Sequence, residues 1–526
     1  MADRTEGPAG DPRAGLPEAI RRRGSMVKGL AIVLISFFFL EVVPTLGPTP
    51  AQVLGTHSHP PTVGSLEGFS DAVPMFEAGE AATGGMITRR GSDGTWTPDP
   101  NVETRMYYTG TLAAEPTLGV DREGSIFFVG LDNSTGVAQW PVLRSRDGGG
   151  SWKDVSPRLG DGHRHPTGQD PMLYVDRITG RVFTADFLAP CTPVSFTDDQ
   201  GTSWTTGSAC GLADHQNLFT GPPAISPTVG YENVVYYCAI DGGAFQEASS
   251  ATTCLKSLDG GLTFSRTGAP AYVDGINPDL GNFGIPGRCS GVTGHGFVDG
   301  RGTVYLPRGW CGQPWLAISQ DEGATWSRVQ VADNGMPFQS GSPTEYNPNA
   351  ADGFQEHEAG VVVDGRGVIY YVYTALNRLP YLVTSKDQGE TWSKPLMIGM
   401  PKLKEASLPA VAIGNDGRVA VAYIGSTNAP GGRAPDGAGP EYAKVTWNGY
   451  VAVVSPAARG RSSLHVAAIN RATDPLMIGE CWILRCQQQY DFIDVVVDDE
   501  GTVWTSMVDA CRMTSCAEFG SGFVGK

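Results

Sequence analysis

The chain has 526 residues, 70 of them glycine and 38 proline, with 40 % apolar and 18 % charged residues. That apolar share excludes a disordered chain, and so many turn formers among short apolar runs point to many short strands. A net charge of −17 with no basic cluster excludes a nucleic-acid-binding surface and leaves the acidity as a matter of solubility.

The first predicted element is the apolar run Leu30–Leu40 (LAIVLISFFFL), preceded by Arg21, Arg22, Arg23 and Lys28. It is too short for a spanning helix, which needs about 20 residues. It fits the hydrophobic region of a signal peptide, with a small-residue cleavage site at Thr49-Pro50-Ala51. Read from Met26, the sequence MVKGLAIVLISFFFL is a conventional signal peptide. Both starts stay open, and a retained leader of 25 residues favours an uncleaved anchor. Residues 1–51 are therefore expected to form an export region, 52–85 a flexible Gly/Pro/Ser/Thr-rich linker, and 86–526 the folded domain. The protein is expected to be secreted or associated with the cell envelope, touching a membrane only through an uncleaved leader.

An internal repeat dominates the rest. SRDGGGSW (Ser145–Trp152), TDDQGTSW (Thr197–Trp204), SLDGGLTF (Ser257–Phe264), SQDEGATW (Ser319–Trp326) and SKDQGETW (Ser385–Trp392) align, with start-to-start gaps of 52, 60, 62 and 66 residues. Each reads as a hairpin turn, the aspartate box S/T-x-D-x-G-x-x-W. The Asp accepts hydrogen bonds from the turn's amides, the Gly takes a backbone angle others resist, and the aromatic packs inward at the next strand. Calcium binding is not expected, because each box offers too few oxygens.

A second repeat pairs two apolar runs about a tight turn. It recurs at 118–129, 173–187, 296–306, 360–373, 411–423 and 494–507, with a weaker copy at 227–240. These read as the inner two strands of seven blades of an all-β propeller. Six blades with an appended sheet is the alternative. The last two blades lack a clear box, with only an echo of one near Thr446-Trp447. Ring closure demands outer strands for the last blade from the N-terminal side, around Met86–Gly110, where Ser92–Trp96 (SDGTW) resembles a shortened box.

Ten cysteines fall into five near-neighbour pairs in sequence order, without a C-x-x-C. In an oxidising compartment they read as local disulfides, each bracing one loop or hairpin.

Five boxes at propeller spacing resemble the sialidase superfamily, the bacterial neuraminidase repeat proteins. The resemblance covers roughly Glu115 to the C-terminus. It implies that the boxes lie opposite the active face. It implies further that function is one of exo-sialidase, another glycosidase, sorting receptor or non-catalytic assembly factor. Sialidases clamp a substrate carboxylate with three arginines and use a Tyr–Glu pair and an Asp acid/base. The Arg-Ile-Pro stretch that precedes their first box has no counterpart here, although Arg105 stands in that region.

The box side being the bottom, chemistry is sought where chain segments lead into the innermost strands, and between second and third strands. Six residues ahead of the turn positions Asp121, Asp176, Asp299, Asp364 and Asp498 stand Glu115, Asp170, Thr293, Glu358 and Phe492. Nearby are Tyr490 and Asp491, and five of the eight histidines fall in such loops. Glu115, Asp170, Glu358, Asp491 and Tyr490 are the candidate catalytic groups, since paired carboxylates shift each other's pKa and can act on a glycosidic bond. His165, His215, His295, His357, Arg288, Arg308, Trp310 and Arg378 are the candidate substrate-binding groups. No metal and no cofactor is expected. The expected partner of this monomeric protein is a carbohydrate or glycoconjugate, handled either by hydrolysis or by a non-catalytic binding or assembly propeller.

Overall fold

The structure, a computed structural model, describes residues 79–80, 87–91, 95–99, 103–130, 141–158, 169–187, 190–211, 213–241, 251–272, 293–310, 313–332, 359–375, 377–431, 439–455, 463–481, 489, 491–512, 516 and 520–526. The expected export region and most of the expected linker lie outside them.

Seven antiparallel sheets make seven blades. Blade one holds Thr117–Val120, Ile126–Val129, Leu143–Ser145 and Lys153–Asp154, from the innermost strand outward. Blade two holds Gln169–Val175, Val182–Phe187, Cys191–Thr197 and Thr205–Cys210. Blade three holds Ala213–Gly221, Val234–Asp241, Ala251–Ser257 and Ser265–Arg266. Blades four and five begin at Phe297–Val298 and Gly360–Val363, and blade six at Glu405–Ile413. Among the described residues, seven clusters of buried apolar side chains fill the gaps between neighbouring blades. Burial between blades, not within a separate core, therefore holds the ring together.

The innermost strands converge on the axis, so side chains there must be small where blades touch. A Cβ on Gly119 would lie 2.2 Å from Val175 Cγ2, and one on Gly221 would lie 2.3 Å from Val298 Cβ.

The S/T-x-D-x-G repeats form the turns between third and fourth strands. In the first, Ser145 Oγ donates to Asp147 Oδ1 at 2.8 Å and accepts the Gly149 N–H at 2.8 Å. Ser151 closes the turn, its N–H and its hydroxyl donating to the two Asp147 oxygens at 2.8 and 2.7 Å. Ser203, Thr263, Thr325 and Thr391 do the same in the other four, so the seventh position is a hydroxyl, which the eight-residue pattern left unspecified. The aromatic eighth residue packs into the inter-blade gap, as Trp152 does against Phe128 at 6.2 Å.

The ring closes with chain from both ends. Blade seven is built from Asp494–Val497, Val503–Asp509 and Gly520–Gly525, with Met106–Ala113 outside them and Gly79–Glu80 at the edge. Arg105 and Lys526 exchange backbone hydrogen bonds of 2.9 and 3.0 Å. The outer strand of the last blade comes from the N-terminal side as the closure argument requires. The hairpin Ile87–Arg90 and Trp96–Pro98, in contrast, extends blade six outside Ser463–Ala468. Gly79–Glu80, within the expected linker, pairs with Tyr107 and Tyr108.

Blade three differs from the expected hairpin at 227–240. Its innermost strand is Ala213–Gly221, and the stretch that follows, with Pro222, Pro223 and Pro227, is loop. Proline offers no N–H for a ladder, and ADHQNLFTG is too polar to announce a buried strand.

Disulfides join Cys191–Cys210, Cys238–Cys254 and Cys511–Cys516, in the expected sequence order. The first two cross directly opposite positions of neighbouring strands. Cys481 is disulfide-bonded too, while Cys289, Cys311 and Cys486 lie outside the described residues.

Candidate functional site at the channel rim

Turns between strands one and two share the bottom face with the box turns. Thus Gln200, in the second box, donates to the turn residue Asp121 at 2.9 Å. The segments leading into the innermost strands therefore open on the other face, around the central channel.

Those segments carry a common backbone distortion. Glu115, Asp170, His215 and Leu408 have left-handed φ of 48°, 51°, 50° and 54°. Such a backbone costs an L-residue about 1–3 kcal/mol and persists only where surroundings enforce it. Glu115, Asp170 and Leu408 each stand six residues ahead of the bottom turn of blades one, two and six. The distortion tips each residue out of the ladder and toward its neighbours around the rim.

Contacts between blades follow from it. The His215 backbone N–H donates to Asp170 Oδ2 at 3.3 Å. The Gln216 side-chain amide donates to the Asp170 carbonyl. His215 Nε2 lies 3.3 Å from Asp491 Oδ2, both side chains being buried, and its ring packs edge-on to Phe492 at 6.4 Å. Glu115 is buried, with its N–H on the Gln489 carbonyl at 3.1 Å. Blades two and three and the segment leading into blade seven thus deliver Asp170, His215 and Asp491 into one connected group, and Glu115 is tied to Gln489 in the segment that carries Asp491.

His295 stands apart from that group but in an equivalent setting. Its Nδ1 is 3.6 Å from Asp494 Oδ1, and the imidazole is partly exposed. Asp494 also accepts the Leu118 N–H at 3.1 Å. Burial pushes the Asp494 carboxyl above the ordinary carboxylate range, and His295 and the backbone donors offset part of that rise.

The two described arginines expected to bind substrate are inside the protein. Arg308 is fully buried, donates to Thr252 Oγ1 at 2.9 Å, and lies 5.4 Å from the Tyr272 ring centroid. Thr252 and Thr293 share a 3.2 Å hydroxyl contact, and the Thr293 carbonyl accepts the Asn217 side-chain amide at 3.0 Å. Arg308 therefore supports the strand that carries His215. Arg378 lies 2.9 Å from Glu405 Oε2 through Nε and donates to the Cys481 carbonyl at 3.0 Å, which ties blade five to blade six. Arg288, His165, His357, Glu358 and Tyr490 lie outside the described residues, as does the Trp310 side chain. Among the described residues no group of three His, Cys, Asp or Glu side chains is placed to hold a metal ion.

A carboxylate that the alignment of turns passed over stands beside the group. Asp186, on the second strand of blade two, stands opposite a bulge in the first, between the pairs Ala185↔Met172 and Phe187↔Gln169, where Asp170 and Pro171 face it together. It is therefore level with the start of the neighbouring strand, where Asp170 stands. Asp186 is half-buried, accepts no hydrogen bond among the described residues, and burial pushes its carboxyl up to about 8. The Tyr237 hydroxyl, 3.0 Å from Thr192 Oγ1, is raised chiefly by burial and further by the charges of Asp170 and Asp186. Both carboxylates thus lie within electrostatic reach of one phenol. The sequence signal for Asp186 is a lone charge inside the apolar run VFTADF.

No family model and no curated protein matches the chain. Among solved structures, it is similar to the leech intramolecular trans-sialidase in complex with 2,7-anhydro-Neu5Ac, at 13 % identity over 80 % of this chain and 69 % of that one, TM-score 0.36. It is similar to the α-L-arabinofuranosidase of Fusarium graminearum in complex with arabinobiose, at 12 % identity over 69 % of this chain and 94 % of that one, TM-score 0.37. It is also similar to the Aleuria aurantia lectin in complex with Fucα1-6GlcNAc, at 10 % identity over 69 % of this chain and 97 % of that one, TM-score 0.39.

Proposed function

We propose that this propeller hydrolyses a glycosidic bond at the channel rim on the face opposite the box turns. The observation that carries the reading is the connected group Asp170–His215–Asp491, assembled from three parts of the ring. Glycoside hydrolysis needs two carboxyl groups about 5–10 Å apart, one on each side of the scissile bond. One histidine holds a candidate here, Asp170, through its backbone N–H, and is itself held by Asp491 through its imidazole. Asp170 so oriented is pre-set to take a proton from water, with Asp491 fixing the histidine that holds it. The disulfides fit a protein that works outside the cytoplasm.

The test is a glycan screen on the purified protein, scoring release of sugar and binding separately. Release that Asp170→Asn and Asp491→Asn both lower at least 100-fold supports hydrolysis at this rim. Binding without release sinks the enzyme reading and leaves a glycan-binding propeller.

A further inference from the structure

We propose that Asp186 is the proton donor of this hydrolysis and that Asp170, on the neighbouring strand, is its proton-accepting partner; the assignment rests on the function proposed above. The strand bulge is the geometric reason. Asp170 and Pro171 together stand opposite the single residue Asp186, so the extra residue in the first strand re-aims Asp170 beside Asp186. Val182, Phe183, Thr184 and Ala185 before it are buried, and Asp186 is the one charged side chain on this strand, itself largely buried.

The two carboxyls differ in their donors. Asp170 accepts the His215 N–H. Asp186 has burial and no described donor, which holds it in the acid form at neutral pH. Unlike environments on two nearby carboxyls separate the acid from the base.

The Asp186 carboxyl proton passes to the glycosidic oxygen as the bond from that oxygen to the anomeric carbon breaks. The oxygen of a water molecule bonds to the anomeric carbon, and a water proton passes to Asp170. One water is consumed, a free sugar and an alcohol leave, and solvent returns the proton from Asp170 to Asp186. The substrate class is a glycoside with an unactivated, alkyl-type leaving group, which requires a proton donor.

The experiment compares two glycosides of the sugar found in the screen, one natural and one with a dinitrophenyl leaving group that needs no proton. Asp186→Asn is expected to lower kcat on the natural glycoside about 100-fold to 10,000-fold and to spare the dinitrophenyl substrate. It is also expected to abolish the alkaline fall of the wild-type pH profile, and Asp186→Glu to restore part of the natural activity. An Asp186→Asn protein that hydrolyses both substrates as the wild type does, or loses both equally while melting normally, overturns the assignment alone. No hydrolysis of any glycoside by the wild type overturns the proposed function and this assignment together.

Discussion

Lys256 of blade three donates to Glu322 of blade four at 2.7 Å, and Glu322 is completely buried. The other Glu322 oxygen accepts the backbone N–H groups of Ala224, Ile225 and Ser226 at 2.9, 2.8 and 2.9 Å. This carboxylate clamps the proline-rich loop of blade three onto the box turn of blade four. Burial opposes its ionisation, but the hydrogen bonds from Lys256, Ser226 and Ile225 outweigh burial and hold its carboxyl at about 2. A depressed carboxyl gives stability that is present above the ordinary value of 4.5 and is lost as pH falls through about 2. Glu322→Gln should therefore destabilise the protein at pH 7 by about 3 kcal/mol, by removing the charge that opposes Lys256. The gap to wild type in denaturant unfolding should narrow steadily below about pH 4.5.

Asp186 carries the opposite sign. Its carboxyl is pushed up to about 8 by burial, with Asp170 and Tyr237 the titratable groups near it. The fold prefers its neutral form, so stability present below the ordinary value of 3.8 is lost as pH rises toward about 8. Asp186→Asn, which cannot ionise, should melt like the wild type near pH 3.5 and above it at pH 8. Equal melting temperatures at both pH values would refute the raised carboxyl.

The box turns make a local prediction. Asp387 is held at about 2, first by the Thr391 hydroxyl and then by the Thr391 N–H and Ser385. Thr391→Val removes the strongest donor and keeps the shape. The Asp387 carboxyl, followed by NMR titration, should move up toward its ordinary value, while the other four box aspartates stay put.

Convergence of the inner strands predicts intolerance of size. Gly221→Val would drive a side chain into Val298, already 2.3 Å from the first added carbon. Overpacking of this kind costs about 1–3 kcal/mol. Gly300→Ala, at a turn where an added Cβ meets nothing within 4 Å, is the control and should leave the denaturation midpoint near that of the wild type.

The disulfide Cys238–Cys254 ties the second and third strands of blade three, and both sulfurs' residues are fully buried. Replacing the pair by alanine should lower stability by about 2–4 kcal/mol.

Much of this molecule is legible in its sequence because the decisive interactions are local. Ser145, Asp147, Gly149 and Ser151 bond to one another within a single turn, and that turn recurs at a readable spacing. Strand order and the pairing of neighbouring cysteines follow from such short-range rules, whereas seven blades rather than six is decided by the folded ring. The need for an N-terminal strand in the last blade follows from ring closure, although the partner of Ile87–Arg90 does not, since either neighbouring blade edge satisfies an unpaired strand.

The site obeyed a different logic. Glu115, Asp170, His215 and Asp491 were reachable by aligning turn positions, yet only the folded ring sets Asp170 and Asp491 on one histidine. Arg308 and Arg378 look like substrate ligands as residue types, but the tertiary structure buries both, against Thr252 and Tyr272 in one case and Glu405 in the other. Asp186 reads as an ordinary charge in a strand until its surroundings remove solvent and donors. Local hydrogen bonding and period are written in consecutive residues. Burial, and with it charge state, is decided by whatever segments the closed ring brings alongside, and those are distant in the chain.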